Sequence, residues 1–325
     1  MEQIHPELRQ MANRIPKFSV TSGNLWLWRF LTNLRGITKT PKDIQIQNIF
    51  IPGKDGKTKI RLRVYKPRSM PGLVPGLVWL HGGGYVMGRP EIDDLACIQF
   101  ARELGIVVIS VEYRYAPRHP FPTPLEDAYT ALQWVNSHGR QVGMDNRIGI
   151  GGESAGGGLA ASLAQLAHDR KEIPLTGQLL VYPMLDDRTS IRDDLPKAEM
   201  MSWSPISNQF GWEAYLGQKC GMENSPAYAV PSRRTDLSGL PPTWIGVGTL
   251  DLFHDENVIY AQRLKEFGVE CELHIVRGAF HGFDAIAPKA RIVQEFQISQ
   301  IAALRKFLFS VKQNFIDPEL PIRYE

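Results

Sequence analysis

Apolar and polar positions along the chain change rhythm more than once. In the first 40 residues, Leu25-Trp26-Leu27-Trp28 is followed by Phe30, Leu31 and Leu34, which places large apolar groups on a broad face of a helix. Two readings fit this stretch. It is either a helix lying on a membrane surface, with Arg29 and Arg35 flanking the aromatics, or a lid packed on the protein itself. The lid is preferred, because the stretch is short and has few charges to attract lipid. After Pro41 the period drops to two: residues 44–51 and 58–65 alternate apolar and polar around Pro52-Gly53-Lys54-Asp55-Gly56-Lys57, which predicts a β-hairpin and an antiparallel start to a sheet.

From residue 76 the rhythm becomes strand, loop, helix. Apolar runs at Gly76–Leu80, Ile106–Val111, Ile148–Gly151, Gln178–Tyr182, Trp244–Val247 and Cys271–Val276 alternate with helical patterns, notably over 123–137, 154–169, 255–267 and 292–312. Such alternation predicts an α/β fold, with a mainly parallel sheet covered by helices on both faces. One interval breaks it. About sixty residues separate Tyr182 from Trp244, far more than a crossover needs, and within them Trp203, Phe210, Trp212, Tyr215 and Leu216 have helix-like spacing. An insertion at the carboxyl end of a strand is where a lid over an active site would sit. Residues 1–40 and 186–225 are therefore expected to form one discontinuous helical cap, on a core built from 41–185 and 226–325.

Composition narrows the function. The chain has 325 residues, 43% hydrophobic and 22% charged, with a net charge of +3. That describes a soluble globular protein with ample material for a core, and without a dense Lys/Arg block it has no electrostatic footprint for nucleic acid. Cys97, Cys220 and Cys271 are odd in number and far apart, so neither a disulfide framework nor a metal site is expected. No run reaches the roughly 18 apolar residues of a membrane span. The start, Met1-Glu2-Gln3-Ile4-His5-Pro6-Glu7, does not read as a secretory signal. A cytoplasmic protein without stable membrane insertion is the expectation.

Chemistry enters at Gly152-Glu153-Ser154-Ala155-Gly156, a Gly-x-Ser-x-Gly turn between an apolar run and an Ala/Gly-rich helix. The glycines fit neither a dinucleotide fingerprint, which would need glycine at position 154, nor a Walker loop, which would need a following lysine. With 29 glycines in the chain, such a pentapeptide also arises as a plain turn. A serine hydroxyl needs a base to become a nucleophile, and the base needs a carboxylate to orient it. Of the eight histidines, His281 follows a strand on the same sheet edge as the serine turn. Asp251, just past the strand at Trp244–Val247, is preferred as the carboxylate. Its competitors Asp255 and Glu256 open a helix, where acids are ordinarily explained by the dipole and capping. For the oxyanion, His81-Gly82-Gly83-Gly84-Tyr85 offers backbone N–H groups free of obstructing side chains, and Ala155 offers one more.

These residues resemble the hormone-sensitive-lipase-like branch of the α/β-hydrolases, the bacterial family IV carboxylesterases. The resemblance runs from about residue 75 to 285. It is carried by HGGGYVMG at 81–88, YRYAPRHPFPTPLEDAY at 113–129, GESAGGGLA at 152–160, YPMLD at 182–186, LSGLPPTWIGVGTLDLFHDE at 237–256 and HGF at 281–283. It implies an α/β-hydrolase fold in which Ser154 is nucleophile, His281 base and Asp251 the orienting acid. Gly83, Gly84 and Ala155 would donate to the oxyanion, Gly82 would shape the turn, and His81 would hold the glycine loop without taking a proton from Ser154. Two departures stand out: Tyr115 and Arg118 replace a leucine and a glutamate, and Asp251-Leu252-Phe253-His254-Asp255-Glu256-Asn257 replaces Asp-Pro-Leu-x-Asp-Glu-Gly. Both are expected to leave the triad untouched and to alter loop packing and the shape of the pocket's rim.

The expected activity is hydrolysis of short- to medium-chain acyl esters through an acyl-enzyme intermediate, with no metal or organic cofactor. Tyr85, Trp203, Phe210, Trp212 and Tyr215 are expected to line an apolar pocket. Amide, lactone or thioester leaving groups remain open on the same triad. A non-catalytic receptor on this scaffold, as among plant gibberellin receptors, is disfavoured by the presence of His281. Partners are limited to a small ester substrate and, by analogy with relatives, a second copy meeting at an edge strand and the final helix.

Overall fold

The computed structural model describes residues 2–15, 19–34, 41–194 and 202–310; Arg35 and the last residues of the helix expected over 292–312 lie outside them. One sheet holds eight strands: β1 (Ile44–Pro52), β2 (Lys59–Pro67), β3 (Val74–Leu80), β4 (Val107–Glu112), β5 (Met144–Glu153), β6 (Gly177–Val181), β7 (Thr243–Gly248) and β8 (Cys271–Val276). Their order is β1-β2-β4-β3-β5-β6-β7-β8. β2 runs antiparallel to β1 and β4, and every pairing from β4 onward is parallel. The hairpin turn is held by Asp55, whose Oδ1 accepts from the N–H groups of Lys57 and Thr58 at 2.9 and 2.7 Å, while Gly56 takes a φ of +66° that a side chain would resist. The six apolar runs are β3 to β8. β5 begins earlier than expected, at Met144, because its pairing with β3 continues past a bulge to Val74.

The helices are α1 (Pro6–Ala12), α2 (Leu25–Leu34), α3 (Asp94–Leu104), α4 (Thr123–His138), α5 (Ala155–Arg170), α6 (Pro205–Leu216), α7 (His254–Glu266), α8 (Phe283–Ile286) and α9 (Arg291–Phe309). Strand periodicity sorts the core into two layers. Val78 and Leu80 of β3 pack with Leu132 of α4, Leu163 of α5 and Leu264 of α7. Their neighbours Leu77 and Trp79 turn the other way, toward Phe100 of α3 and Leu304 of α9. Every residue of β3 is buried. At about 1.5–3 kcal/mol for each large apolar side chain, these central strands form a rigid platform.

The N-terminal segment reaches that platform through one side of α2. Leu25 is buried and Trp28 packs against the core. Arg29 donates from Nε to the Val86 carbonyl and from Nη2 to the Ala116 carbonyl, both at 2.9 Å, and its guanidinium lies 4.9 Å from the centre of the Tyr115 ring. Tyr115, one of the two departures from the family pattern, thus gives Arg29 an aromatic face. Farther along, Ser19 and Ser204 share a 2.7 Å hydrogen bond, and the Val20 N–H donates to Ser207 Oγ at 2.8 Å. Ser204 also caps α6 by accepting from the Ser207 N–H. Residues 19–34 are therefore joined both to α6 and to the loop after β3. The other side of α2, carrying Trp26, Leu27, Phe30, Leu31 and Leu34, faces solvent.

Candidate active site

Four loops at the carboxyl ends of β3, β5, β7 and β8 converge, as parallel strands feeding helices dictate. Ser154 occupies the sharp turn between β5 and α5, with φ +53° and ψ −122°. Such a backbone costs of order 1–3 kcal/mol for a residue with a side chain. Three hydrogen bonds hold it: the Ser154 N–H donates to the Val181 carbonyl at 2.9 Å, and the Ser154 carbonyl accepts from Gly158 and Met184, both at 3.0 Å. The flanking glycines are sterically required. A Cβ on Gly156 would stand 2.0 Å from the Leu80 carbonyl oxygen, and one on Gly152 would stand 2.5 Å from Gly156 backbone atoms.

His281 and Asp251 meet this serine. His281 Nε2 lies 2.9 Å from Ser154 Oγ, and His281 Nδ1 lies 2.9 Å from Asp251 Oδ2. Asp251 Oδ1 is itself held by the Phe253 N–H at 2.9 Å. All three residues are buried, with Ser154 and His281 keeping slight access to solvent. A carboxylate on Nδ1 fixes the tautomer that leaves Nε2 free to accept a proton from the serine. The two competing acids are elsewhere. Asp255 pairs with Arg192 and His254. Glu256 is buried, accepting from the Leu185 N–H at 2.7 Å and from the Thr189 hydroxyl. The dipole explanation expected for Glu256 thus gives way to another role, that of anchoring the chain leaving β6.

Ala155 is the first residue of α5, so its N–H is one of the helix's unpaired donors and sits at the positive end of the dipole. Across from it lies the glycine loop. Gly83 has φ +126° and Gly84 φ +60°; a Cβ on Gly83 would be 2.0 Å from the Met87 carbonyl oxygen, and one on Gly84 would be 2.1 Å from the Trp203 ring. His81 is fully buried behind the loop. Its Nδ1 lies 2.8 Å from the Gly82 carbonyl, its ring stacks on Tyr113 at 4.3 Å, and burial pushes its pKa down to about 4. It is a neutral donor to the loop and has no contact with Ser154 in the hydrogen-bond network.

Of the aromatics expected to line a pocket, Trp203 sits with its ring edge on Gly84, and Phe210 is half-buried beside the core. Tyr85, Trp212 and Tyr215 depart from that expectation. Each is at most 1% exposed, so they present no surface to a pocket. Tyr85 stacks on Tyr215 at 4.1 Å and tilts against Trp212 at 5.1 Å, forming a pillar between the glycine loop and α6. Apolar spacing could not separate lining from support, because both call for large aromatic side chains.

Other residues at the site were not legible as site residues. Phe253 meets the His281 ring edge-on at 5.0 Å. The expectation that the departures leave the triad untouched is therefore corrected here, since Phe253 stands where the family has leucine. Tyr182 meets the same imidazole at 4.8 Å, also edge-on, and donates to Asp284 Oδ1 at 2.7 Å. Behind it lies a buried group of acids. Asp93 accepts from Trp79 Nε1 at 2.7 Å, and burial lifts its pKa to about 7. Burial, reinforced by neighbouring Asp93 and Asp284, pushes Glu153 well above the ordinary carboxyl range. A carboxylate closing the apolar strand β5 was the available signal. Among the described residues, no group of three His, Cys, Asp or Glu is arranged to hold a metal ion.

Comparison with known proteins fits this geometry. Residues 77–285 match the family model of the α/β hydrolase fold. The chain is 33% identical over 314 residues to the esterase LipI of Mycobacterium tuberculosis, covering 94% of this chain and 95% of that protein. It is 32% identical over 315 residues to the carboxylesterase NlhH of the same species, covering 94% and 96%. Among solved structures, a bacterial heroin esterase superposes with a TM-score of 0.88 at 35% identity, over 95% of this chain and 99% of that one. The chain belongs to the α/β-hydrolase family, in its hormone-sensitive-lipase-like branch.

Proposed function

We propose that the protein is a serine carboxylesterase acting on short- to medium-chain acyl esters. The observation that carries this reading is the unbroken relay from Asp251 Oδ2 through His281 to Ser154 Oγ, with both contacts at 2.9 Å. His281 takes the Ser154 proton as Oγ attacks the ester carbonyl, and Asp251 stays ionised beside the imidazolium. The N–H groups of Gly83, Gly84 and Ala155 receive the oxyanion, where each fixed donor is worth of order 3 kcal/mol in the transition state. His281 then protonates the departing alcohol, and water cleaves the acyl-enzyme by the same route. The Trp203 ring on Gly84 supports a limit on acyl size, because it stands over the oxyanion loop where a chain would pass. Of the cap expected over 1–40 and 186–225, the described parts 19–34 and 202–225 are read as one unit, supported by the hydrogen bonds between Ser19 and Ser204 and from the Val20 N–H to Ser207; residues 16–18, 35–40 and 195–201 lie outside the described residues.

One coarser finding frames the setting. No described helix is long and apolar enough to cross a membrane. A cytoplasmic location is our reading, supported by three free cysteines, and so is a homodimer across the β8 edge and the final helix α9, where Ile275 and Ile298 are exposed. The test of function is kinetic. Ser154→Ala should lower kcat/KM for p-nitrophenyl acetate by roughly 10⁴-fold or more while the melting temperature stays near that of the parent; turnover close to wild type would refute the assignment.

A further inference from the structure

Leu27, Phe30, Leu31 and Leu34 follow i, i+3, i+4, i+7 spacing along α2, with Trp26 beside them, so they form one stripe. That stripe points away from the protein: Trp26 is 70% exposed, Phe30 56% and Leu34 60%. It is not a core face waiting for a small rotation. The opposite face is already committed, through buried Leu25 and through Arg29, whose guanidinium holds two carbonyls and covers Tyr115. Exposed large apolar groups in such a contiguous set mark an interaction surface.

Charge identifies the partner. The helix itself carries a single cation, Arg29, which is turned inward, but the longer segment from Leu8 to Lys42 has no Asp or Glu and also carries Arg9, Arg14, Lys17, Arg35, Lys39 and Lys42. Setting those seven aside from the 37 Lys and Arg leaves 30 against 34 Asp and Glu, so the rest of the chain is net acidic. An apolar stripe set in a cation-only segment suits an interface that is greasy below and negative at its surface. It does not suit a second copy of itself, since two such faces would bring two cationic segments together.

We propose that the outward face of α2 rests reversibly on an anionic lipid surface, with Trp26, Phe30 and Leu34 as its apolar anchors. The surface does not depend on the esterase assignment. It is placed usefully for one, because the same segment is bonded to Ser204, the neighbour of Trp203. Apolar esters dissolved in a lipid layer would then meet the protein on its cap side.

The test is flotation of the full chain with vesicles of phosphatidylcholine alone, or of phosphatidylcholine mixed equally with phosphatidylglycerol. Binding should be confined to the mixed vesicles and should fall about ten-fold or more when salt rises to about 0.5 M. Combining Trp26→Ser, Phe30→Ser and Leu34→Ser should weaken it by about ten-fold or more, with unchanged hydrolysis of a soluble ester. These side chains are solvent-exposed, so the fold survives their loss, which circular dichroism checks. Three results would overturn the proposal: no binding to mixed vesicles at low salt, binding unchanged in the triple variant, or a wild-type oligomer that the triple variant converts to monomer.

Discussion

At the turn between β5 and α5 an added methyl group has nowhere to go, whereas on α2 whole tryptophan and phenylalanine side chains stand in solvent. Ser154 sits in a backbone conformation that L-residues avoid, fixed by hydrogen bonds from two directions and by glycines whose Cβ positions are filled by carbonyl oxygens. α2 is held on one face only, and its other face has no partner among the described residues. The contrast separates two kinds of constraint. Reacting atoms must be placed to a fraction of an ångström, so every neighbour of Ser154 is specified. A surface that meets a fluid partner needs only composition and charge.

Breaking the tight region should have the largest effect. Gly156→Ala would push a methyl group against the Leu80 and His81 carbonyls at 2.0 and 2.4 Å. The backbone must shift, and a displacement near 1 Å at a catalytic turn costs about 10²-fold in rate. Ester hydrolysis by the folded fraction is expected to fall at least that far, whereas alanine at an outward position of α2 should leave it unchanged.

An intermediate effect is expected at Trp203, which lies between the two regions. Removing the indole clears the space over Gly84. With Trp203→Ala, kcat/KM for an octanoate ester relative to the acetate ester should rise by about ten-fold, within the range expected when a pocket gains a few methylenes of room. A buried tryptophan also supports the fold, so the ratio is the informative readout, and Trp203→Phe should move it less. An unchanged ratio in both variants would remove Trp203 from the account of chain length.

The smallest effect concerns pH and the acids behind His281. Asp93 is raised from 3.8 to about 7, so between those values the folded state binds a proton that the unfolded state has released. Its contribution to stability is therefore complete below pH 3.8 and is lost as pH rises through 7. Asp93→Asn keeps a carbonyl acceptor for Trp79 but cannot ionise. Its melting temperature should gain on that of the parent by several degrees across this window, and parallel curves would show that Asp93 ionises as freely in the fold as outside it.

How much of this was legible follows the same division. The apolar runs, the hairpin, the serine turn and the ordering of Ser154, Asp251 and His281 could be read because each leaves a local mark: alternation, a glycine that no other residue can replace, or a loop after a strand. The reading failed where one residue type serves two purposes. Tyr85 and Tyr215 have the aromatic character of pocket walls but work as a buried stack. Glu256 has the position of a dipole partner but anchors the Leu185 backbone. Phe253 and Tyr182 reach His281 only through the three-dimensional meeting of loops far apart in the chain. On α2 the apolar stripe was visible, but not which half of the helix would be spent on docking. That was decided by Arg29 finding two carbonyls and the Tyr115 ring.

The central claim is that Ser154 is an activated nucleophile, and covalent capture tests it most directly. The intact protein is treated with a fluorophosphonate and the adduct is located by mass spectrometry of peptides. The account predicts stoichiometric modification of Ser154, abolished in Ser154→Ala and slowed by orders of magnitude in His281→Ala, because the hydroxyl then has no base. Modification at another residue, or labelling of Ser154 that is indifferent to the loss of His281, would contradict it.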